Sequence, residues 1–152
     1  MHSPGRDGSN DVTELDELIA RLNRNMPPAT RLLEGRVVAG DLAARWVDMT
    51  FRMKPEYCHN MGLQGGYIAA MLDNAMARAV FLVSNETLSP PTLELKVSYL
   101  APGADGAYRA RGQIEHMGRS IAFLSSMLWD ASQTLIAKAS ATAKLVPYRD
   151  LG

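Results

Sequence analysis

The chain contains one cysteine, Cys58, so it can form no internal disulfide and must be held together by burial and hydrogen bonding. It has no surplus of charge either. Sixteen basic residues stand against sixteen acidic ones with no basic block, which removes the electrostatic footprint of a nucleic-acid partner or an anionic membrane surface. Aromatic residues are few, at 7%, and nine methionines supply apolar volume instead, a lining that suits plain packing as well as an apolar ligand. No group of His, Cys, Asp or Glu has metal-ligand spacing. The first ten residues lack a signal-peptide pattern, and with the free cysteine this makes the cytoplasm the expected location.

An unbroken apolar run of about 18 residues, the minimum for a membrane span, is also missing. The nearest approach is residues 64–83, QGGYIAAMLDNAMARAVFLV, which Asp73, Asn74 and Arg78 interrupt too soon. At helical period this stretch is apolar on every side, with Ile68, Leu72, Met76 and Val80 in one row and Met71, Ala75, Ala79 and Leu82 in another. It predicts a central helix wrapped by the rest of the chain, with no face left for water.

The length of 152 residues suits one domain. Residues 1–10, rich in Gly, Ser and Asn, are expected to be disordered, and 11–152 to form the domain. A helical pattern runs from Asp11 to Arg24 and stops at Pro27-Pro28. Residues 32–39 and 42–53 read as strands joined at Gly40-Asp41, and 54–63 as a loop into the central helix. Residues 91–100 then alternate, placing Leu93, Leu95, Val97 and Tyr99 on one face and Thr92, Glu94, Lys96 and Ser98 on the other. Three further strands, 107–117, 120–129 and 134–146, are joined by links short enough to force antiparallel neighbours. The order β-β-α-β-β-β-β describes an α+β fold, an antiparallel sheet wrapped around a long helix, with an extra helix at the N-terminus.

Chemistry concentrates on the central helix. Gly65 and Gly66 open it, so free N–H groups and the positive end of the helix dipole can meet negative charge developing on an oxygen. Asp73 sits eight residues on among alanines and methionine, where a carboxylate needs a hydrogen bond or a polar cleft and could serve as general base or nucleophile toward a carbonyl. Each feature also has a bland reading, a tight turn for the glycines and a satisfied structural carboxylate for Asp73. Eight helical residues hold the two about 12 Å apart, too far for one short side chain. Two antiparallel copies of the helix about a two-fold axis would bring Gly65 of one to Asp73 of the other, so the spacing points to a homodimer with two equivalent sites. Cys58 beside His59 makes a poor nucleophile and base pair, because sequence neighbours in a loop seldom face each other. His116, within a strand, reads as structural.

The run Gly62-Leu63-Gln64-Gly65-Gly66, then five residues, then Leu72-Asp73, is followed by the strand at 92–102 and by Gly118-Arg119-Ser120-Ile121-Ala122-Phe123. Over roughly residues 32–146 this pattern resembles the hotdog-fold acyl-CoA thioesterases of the phenylacetate-degradation (PaaI-like) type. The resemblance implies a hotdog fold and hydrolysis of an acyl-CoA thioester in a homodimer or a dimer of dimers. CoA, a part of the substrate and not a cofactor, would lie across the subunit boundary. The Gly65 N–H would donate to the thioester carbonyl, and Asp73 of the partner chain would be the base or nucleophile. Thr92 matches a Ser or Thr that positions the attacking water, while Tyr99 to Gly103 and the Gly118, Arg119 and Ser120 segment match two walls of the CoA groove.

Two positions depart from the family pattern. Gln64 stands where a His often precedes the glycines, and its amide can donate but cannot carry a proton. The Asn that orients the carbonyl is matched by Cys58 without a gap or by Asn60 if the loop is two residues shorter; Asn60 is favoured as the stronger donor. Two other functions share these positions: a non-catalytic acyl-CoA-binding module, in which the carboxylate would usually be lost, and an acyl-thioester dehydratase or hydratase, which normally needs a His where Gln64 stands. No metal or separate cofactor is implied.

Overall fold

The computed structural model describes residues 8–149, with side chains from residue 14 onward. Of the N-terminal stretch expected to be disordered, residues 1–7 lie outside this range, and 8–10 already belong to the first helix. In chain order the elements are α1 (Gly8–Arg24), α2 (Pro28–Leu32), β1 (Arg36–Asp41), β2 (Trp46–Met53), β3 (Cys58–His59), β4 (Gly62–Leu63) and α3 (Gly65–Val83). They continue with β5 (Leu88–Ser89), β6 (Thr92–Tyr99), β7 (Gly106–Met117), β8 (Ile121–Asp130), β9 (Leu135–Lys144) and β10 (Val146–Pro147). Six strands form one antiparallel sheet in the order β1-β2-β7-β8-β9-β6, and α3 packs against one of its faces. The predicted β-β-α-β-β-β-β order holds for this sheet. The pairs β3 with β4 and β5 with β10 are small additions.

Two local boundaries differ from the sequence reading. Leu32 ends a short helix and does not begin a strand, because Pro28 sits at a helix start, where its missing N–H costs nothing. The first hairpin turns at residues 42–45, and Gly40 and Asp41 stay in β1. The Asp41 carboxylate accepts the Ala44 N–H at 2.8 Å and closes the turn, while Arg45 takes a left-handed φ of 61°.

The inner face of the sheet is built from Val47, Met49, Phe51 and Met53 of β2, Leu124 and Leu128 of β8, and a row of alanines on β9, Ala137, Ala139, Ala141 and Ala143, all buried. Each large side chain so buried contributes about 1.5–3 kcal/mol. Small residues let the helix lie close. A Cβ on Gly112 of β7 would come within 2.0 Å of the Ala75 carbonyl oxygen, so the α3 backbone rests directly on the sheet there. On the outer face Arg111 grips Asp48 through two hydrogen bonds, at 2.7 and 2.9 Å, which raises the arginine pKa and ties β2 to β7.

By length and composition α3 could pass for a membrane span, yet ten of its 19 residues are buried within this domain. The expectation that no face is left for water fails. A single sheet covers only one side, and Gly66, Ala69, Ala70, Asp73, Asn74 and Ala77 remain half-buried or exposed along the opposite stripe. The two edges of the sheet also differ. Beside β1, the Asn23 side chain of α1 donates to the Val37 carbonyl and accepts the Val37 N–H, both at 2.9 Å, as a neighbouring strand would. Beyond β6 no strand follows among the described residues, and Leu93, Tyr99 and Leu100 are more than half exposed.

Candidate active site

The start of α3 is capped by its own preceding residue. Gln64 Oε1 accepts the Gly66 N–H at 2.8 Å, so Gln64 orders the first turn. The Gly65 N–H takes no hydrogen bond among the described residues. Tyr99 of β6 lies over this glycine, its hydroxyl donating to the Gly65 carbonyl oxygen at 2.8 Å. A Cβ on Gly65 would stand 3.1 Å from that hydroxyl, which makes glycine the residue that fits under the ring. A cleft of ≈ 450 Å³ opens here, lined by His59, Met61, Gly65, Tyr99 and Gly103 among others. Gly103 anchors its wall by accepting the Leu63 N–H at 2.8 Å. Behind it Tyr108 donates to the Ala104 carbonyl oxygen at 2.6 Å, and burial pushes the phenol pKa up.

Asp73 lies in a different cleft of ≈ 350 Å³, with Ala77, Arg78, Phe81, Thr92 and Tyr148. Its Oδ1 accepts a hydrogen bond from the Thr92 hydroxyl at 2.8 Å, so the carboxylate is oriented and half-buried. Plain alternation would put Thr92 on the outer face with Glu94, Lys96 and Ser98. The strand corrects this with a β-bulge. Thr92 pairs with Ala143 and Glu94 with Thr142, leaving Leu93 as the extra residue, and Thr92 thereby joins the inner face that Ala143 occupies. Leu95, Val97 and Tyr99 remain on that same face opposite Ala141, Ala139 and Ala137. The inserted residue re-aims the hydroxyl at Asp73.

The structure thus pairs Thr92 with Asp73, and Tyr99 and Gly103 with Gly65, and keeps the two groups in separate clefts. Within α3, Gly65 and Asp73 are about 12 Å apart along the axis, as the spacing implied. Gly118, Arg119 and Ser120 form the exposed turn between β7 and β8, where the Gly118 N–H donates to the Ile121 carbonyl oxygen at 2.8 Å. The register aligns Thr92, Ala143, Ala122 and Met117 across β6, β9, β8 and β7, so this turn stands at the Asp73 end of the sheet, two to three strand spacings from Thr92, or about 10–14 Å. Asn60 is exposed at the tip of the β3–β4 hairpin and does not line the cleft over Gly65. Cys58 lies in β3 and packs against the core. His59 Nδ1 accepts the Met61 N–H at 2.9 Å, and no hydrogen bond joins His59 to Cys58 among the described residues. His116 is exposed on β7 beside Phe123. Arg78 is the residue that sequence reasoning passed over, treating it only as a break in an apolar run. Its signal was a charge within the most apolar stretch of the chain. Among the described residues, no cluster of His, Cys, Asp and Glu could hold a metal ion.

A model of the thioesterase superfamily matches residues 63–137. No curated protein sequence matches the chain. Among solved structures, a phenylacetic acid degradation-related protein from Ralstonia eutropha JMP134 is 29% identical, with a TM-score of 0.75 over 84% of this chain and 98% of its own. A thioesterase from Haemophilus influenzae, at 19% identity, has the same fold, with a TM-score of 0.75 over 88% of this chain and 93% of its own. So does the PaaI protein of the E. coli phenylacetic acid degradation operon, at 16% identity, with a TM-score of 0.75 over 88% and 94%. The segment that the thioesterase superfamily matches, residues 63–137, is the one that carries Gly65, Asp73 and the bulged strand with Thr92, and the chain has the hotdog fold of these structures.

Proposed function

We propose that, within the thioesterase activity that the superfamily match supports, this chain hydrolyses an acyl-CoA thioester to the free acid and CoA, at two sites shared across a homodimer, in the cytoplasm. The observation that carries the reading is the division of one chain's chemistry between the two ends of β6, with Tyr99 over Gly65 at one end and Thr92 on Asp73 at the other. An antiparallel copy, set on the open edge of β6, would put each half against its complement. In that arrangement the Gly65 N–H of one copy takes up the negative charge that grows on the thioester carbonyl oxygen. Asp73 of the other copy, with Oδ1 held by Thr92, removes a proton from water through Oδ2. The water oxygen bonds to the carbonyl carbon, the carbon–sulfur bond breaks, and the proton passes to the departing thiolate. Tyr99 and Gly103 of the first copy and Gly118, Arg119 and Ser120 of the second form the two walls of the CoA groove, where the arginine suits a phosphate. Asn60, at an exposed hairpin tip, is free to meet the substrate from the neighbouring copy. A dimer of dimers is compatible with the same site.

Mixed dimers test this. Gly65→Pro removes the carbonyl-binding N–H at a helix start that tolerates proline, and because its Cβ would press on the Tyr99 hydroxyl at 3.1 Å, the variant must first be shown to fold and to exchange subunits. Asp73→Asn removes the base. Each variant alone should be inactive, and their mixture should recover roughly a quarter of wild-type activity, because half the dimers are mixed and each has one intact site. Folded, exchanging mixtures that stay silent would refute the shared site.

A further inference from the structure

Two charged side chains are buried among the described residues, and they differ in how they are satisfied. Asp48 is held by Arg109 and Arg111. Arg78 is 8% exposed, its Nε is shielded without a partner, and no nitrogen of its guanidinium makes a hydrogen bond among the described residues. Among the described residues its guanidinium lies against the Phe81 ring, whose centroid is 4.4 Å from Cζ and which stands edge-on to Tyr148 at 5.1 Å. Glu86 would be the natural counter-ion, but it is engaged by Arg21 at 2.6 Å. Burial lowers the Arg78 pKa, outweighing the opposing pull of Tyr148 and Glu86, so the charge is desolvated more than its neighbours compensate. A buried unpaired guanidinium is costly and persists where something binds it.

Arg78 lines the cleft that holds Asp73 and Thr92, walled also by Phe81, Tyr148 and Pro91. Resting on the proposed function, we infer that Arg78 receives the distal end of the acyl group, and that the preferred substrate is an acyl thioester whose short acyl chain ends in a carboxylate. Five helical residues place Arg78 about 7.5 Å beyond Asp73 along the axis, so an acyl chain whose carbonyl sits at Asp73 can extend toward the guanidinium. The planar fork of an arginine matches a carboxylate bidentately, and the low-dielectric cleft strengthens that pairing. A plain hydrocarbon chain would do the reverse, since it would displace water from a charge it cannot satisfy. The phosphates of CoA are not the occupant, because they leave the thioester on its sulfur side, away from the acyl cleft.

The test compares glutaryl-CoA with valeryl-CoA, which have equal carbon counts and differ in the terminal carboxylate. The wild-type protein should favour glutaryl-CoA at least tenfold in kcat/KM, and in Arg78→Met, which keeps the volume and loses the charge, that ratio should collapse toward one. Arg78→Lys, which keeps the charge without the fork, should fall between. A wild-type protein that cleaves valeryl-CoA as well as glutaryl-CoA overturns the inference and leaves the thioesterase reading standing, and this comparison needs no variant. A ratio unchanged in folded Arg78→Met also overturns it. No cleavage of any acyl-CoA overturns the proposed function and the inference with it.

Discussion

A carboxylate does useful work only when its orientation is set, and at Asp73 that is the task of one hydroxyl. Thr92 holds Oδ1 at 2.8 Å, leaving Oδ2 for a water molecule or, in the competing chemistry, for direct attack on the thioester. These two routes leave different marks. Single turnover in ¹⁸O-labelled water should place the label in the acid product and leave Asp73 unlabelled, whereas label in the Asp73 carboxylate would show a mixed anhydride with Asp73 opened by water at the Asp73 carbonyl, and would overturn the general-base route. Asp73→Asn keeps the shape and can still bond to Thr92, so folding should survive while hydrolysis drops by about 10² or more. Near-normal turnover in that variant would remove Asp73 from the reaction. Gln64 divides its amide between two tasks: Oε1 caps the Gly66 N–H, while Nε2 is left as a donor at the helix entrance.

Elements aim these residues, and the clearest instance is the bulge in β6. Leu93 is the extra residue between the Thr92–Ala143 and Glu94–Thr142 pairs, and it turns Thr92 from the outer face to the inner one. Thr92→Val should therefore lower activity by about tenfold, the range of a lost positioning hydrogen bond. Adding Leu93→Thr should not restore it, because position 93 is not the one aimed at Asp73. Rescue by that double variant, measured as kcat with folding checked by thermal melting, would mean the strand is regular. On the far side of α3, Gly112 lets the helix backbone lie on β7, with a prospective Cβ only 2.0 Å from the Ala75 carbonyl oxygen. The site thus depends on the sheet twice, once for the approach of the helix and once for the direction of Thr92.

The whole molecule presents one guarded and one open edge. Asn23 covers β1 by bonding both backbone groups of Val37, while β6 runs along the site with Leu93, Tyr99 and Leu100 exposed. If β6 is where a second copy docks, activity and assembly must be inseparable. On dilution, activity per chain should fall over the same concentration range in which sedimentation changes from dimer to monomer. A monomer with full specific activity would show that one chain suffices, and the separation of the Gly65 and Asp73 clefts would then need a different explanation.

Much of this was legible from local pattern. The 3.6-residue period of 64–83, the alternation in the later strands and the short links between them determined the central helix, the succession of elements along the chain and the antiparallel pairing of the last strands, because each depends on neighbours within a few residues. The eight-residue interval from Gly65 to Asp73 likewise follows from helical rise alone, and it carried the suggestion of a second chain. What the tertiary structure decided depends on contacts between distant segments. An inserted residue in β6 is invisible until β9 shows which positions pair, so period-two reading put Thr92 on the wrong face. Asp41 drew the first turn past Gly40 through a side-chain bond, and a sheet that covers one side of α3 left the Asp73 stripe open. Arg78 read in sequence as an interruption. Only packing, which buried it beside Phe81 while Arg21 took the Glu86 carboxylate, made it a charge without a hydrogen-bond partner in the cleft of Asp73.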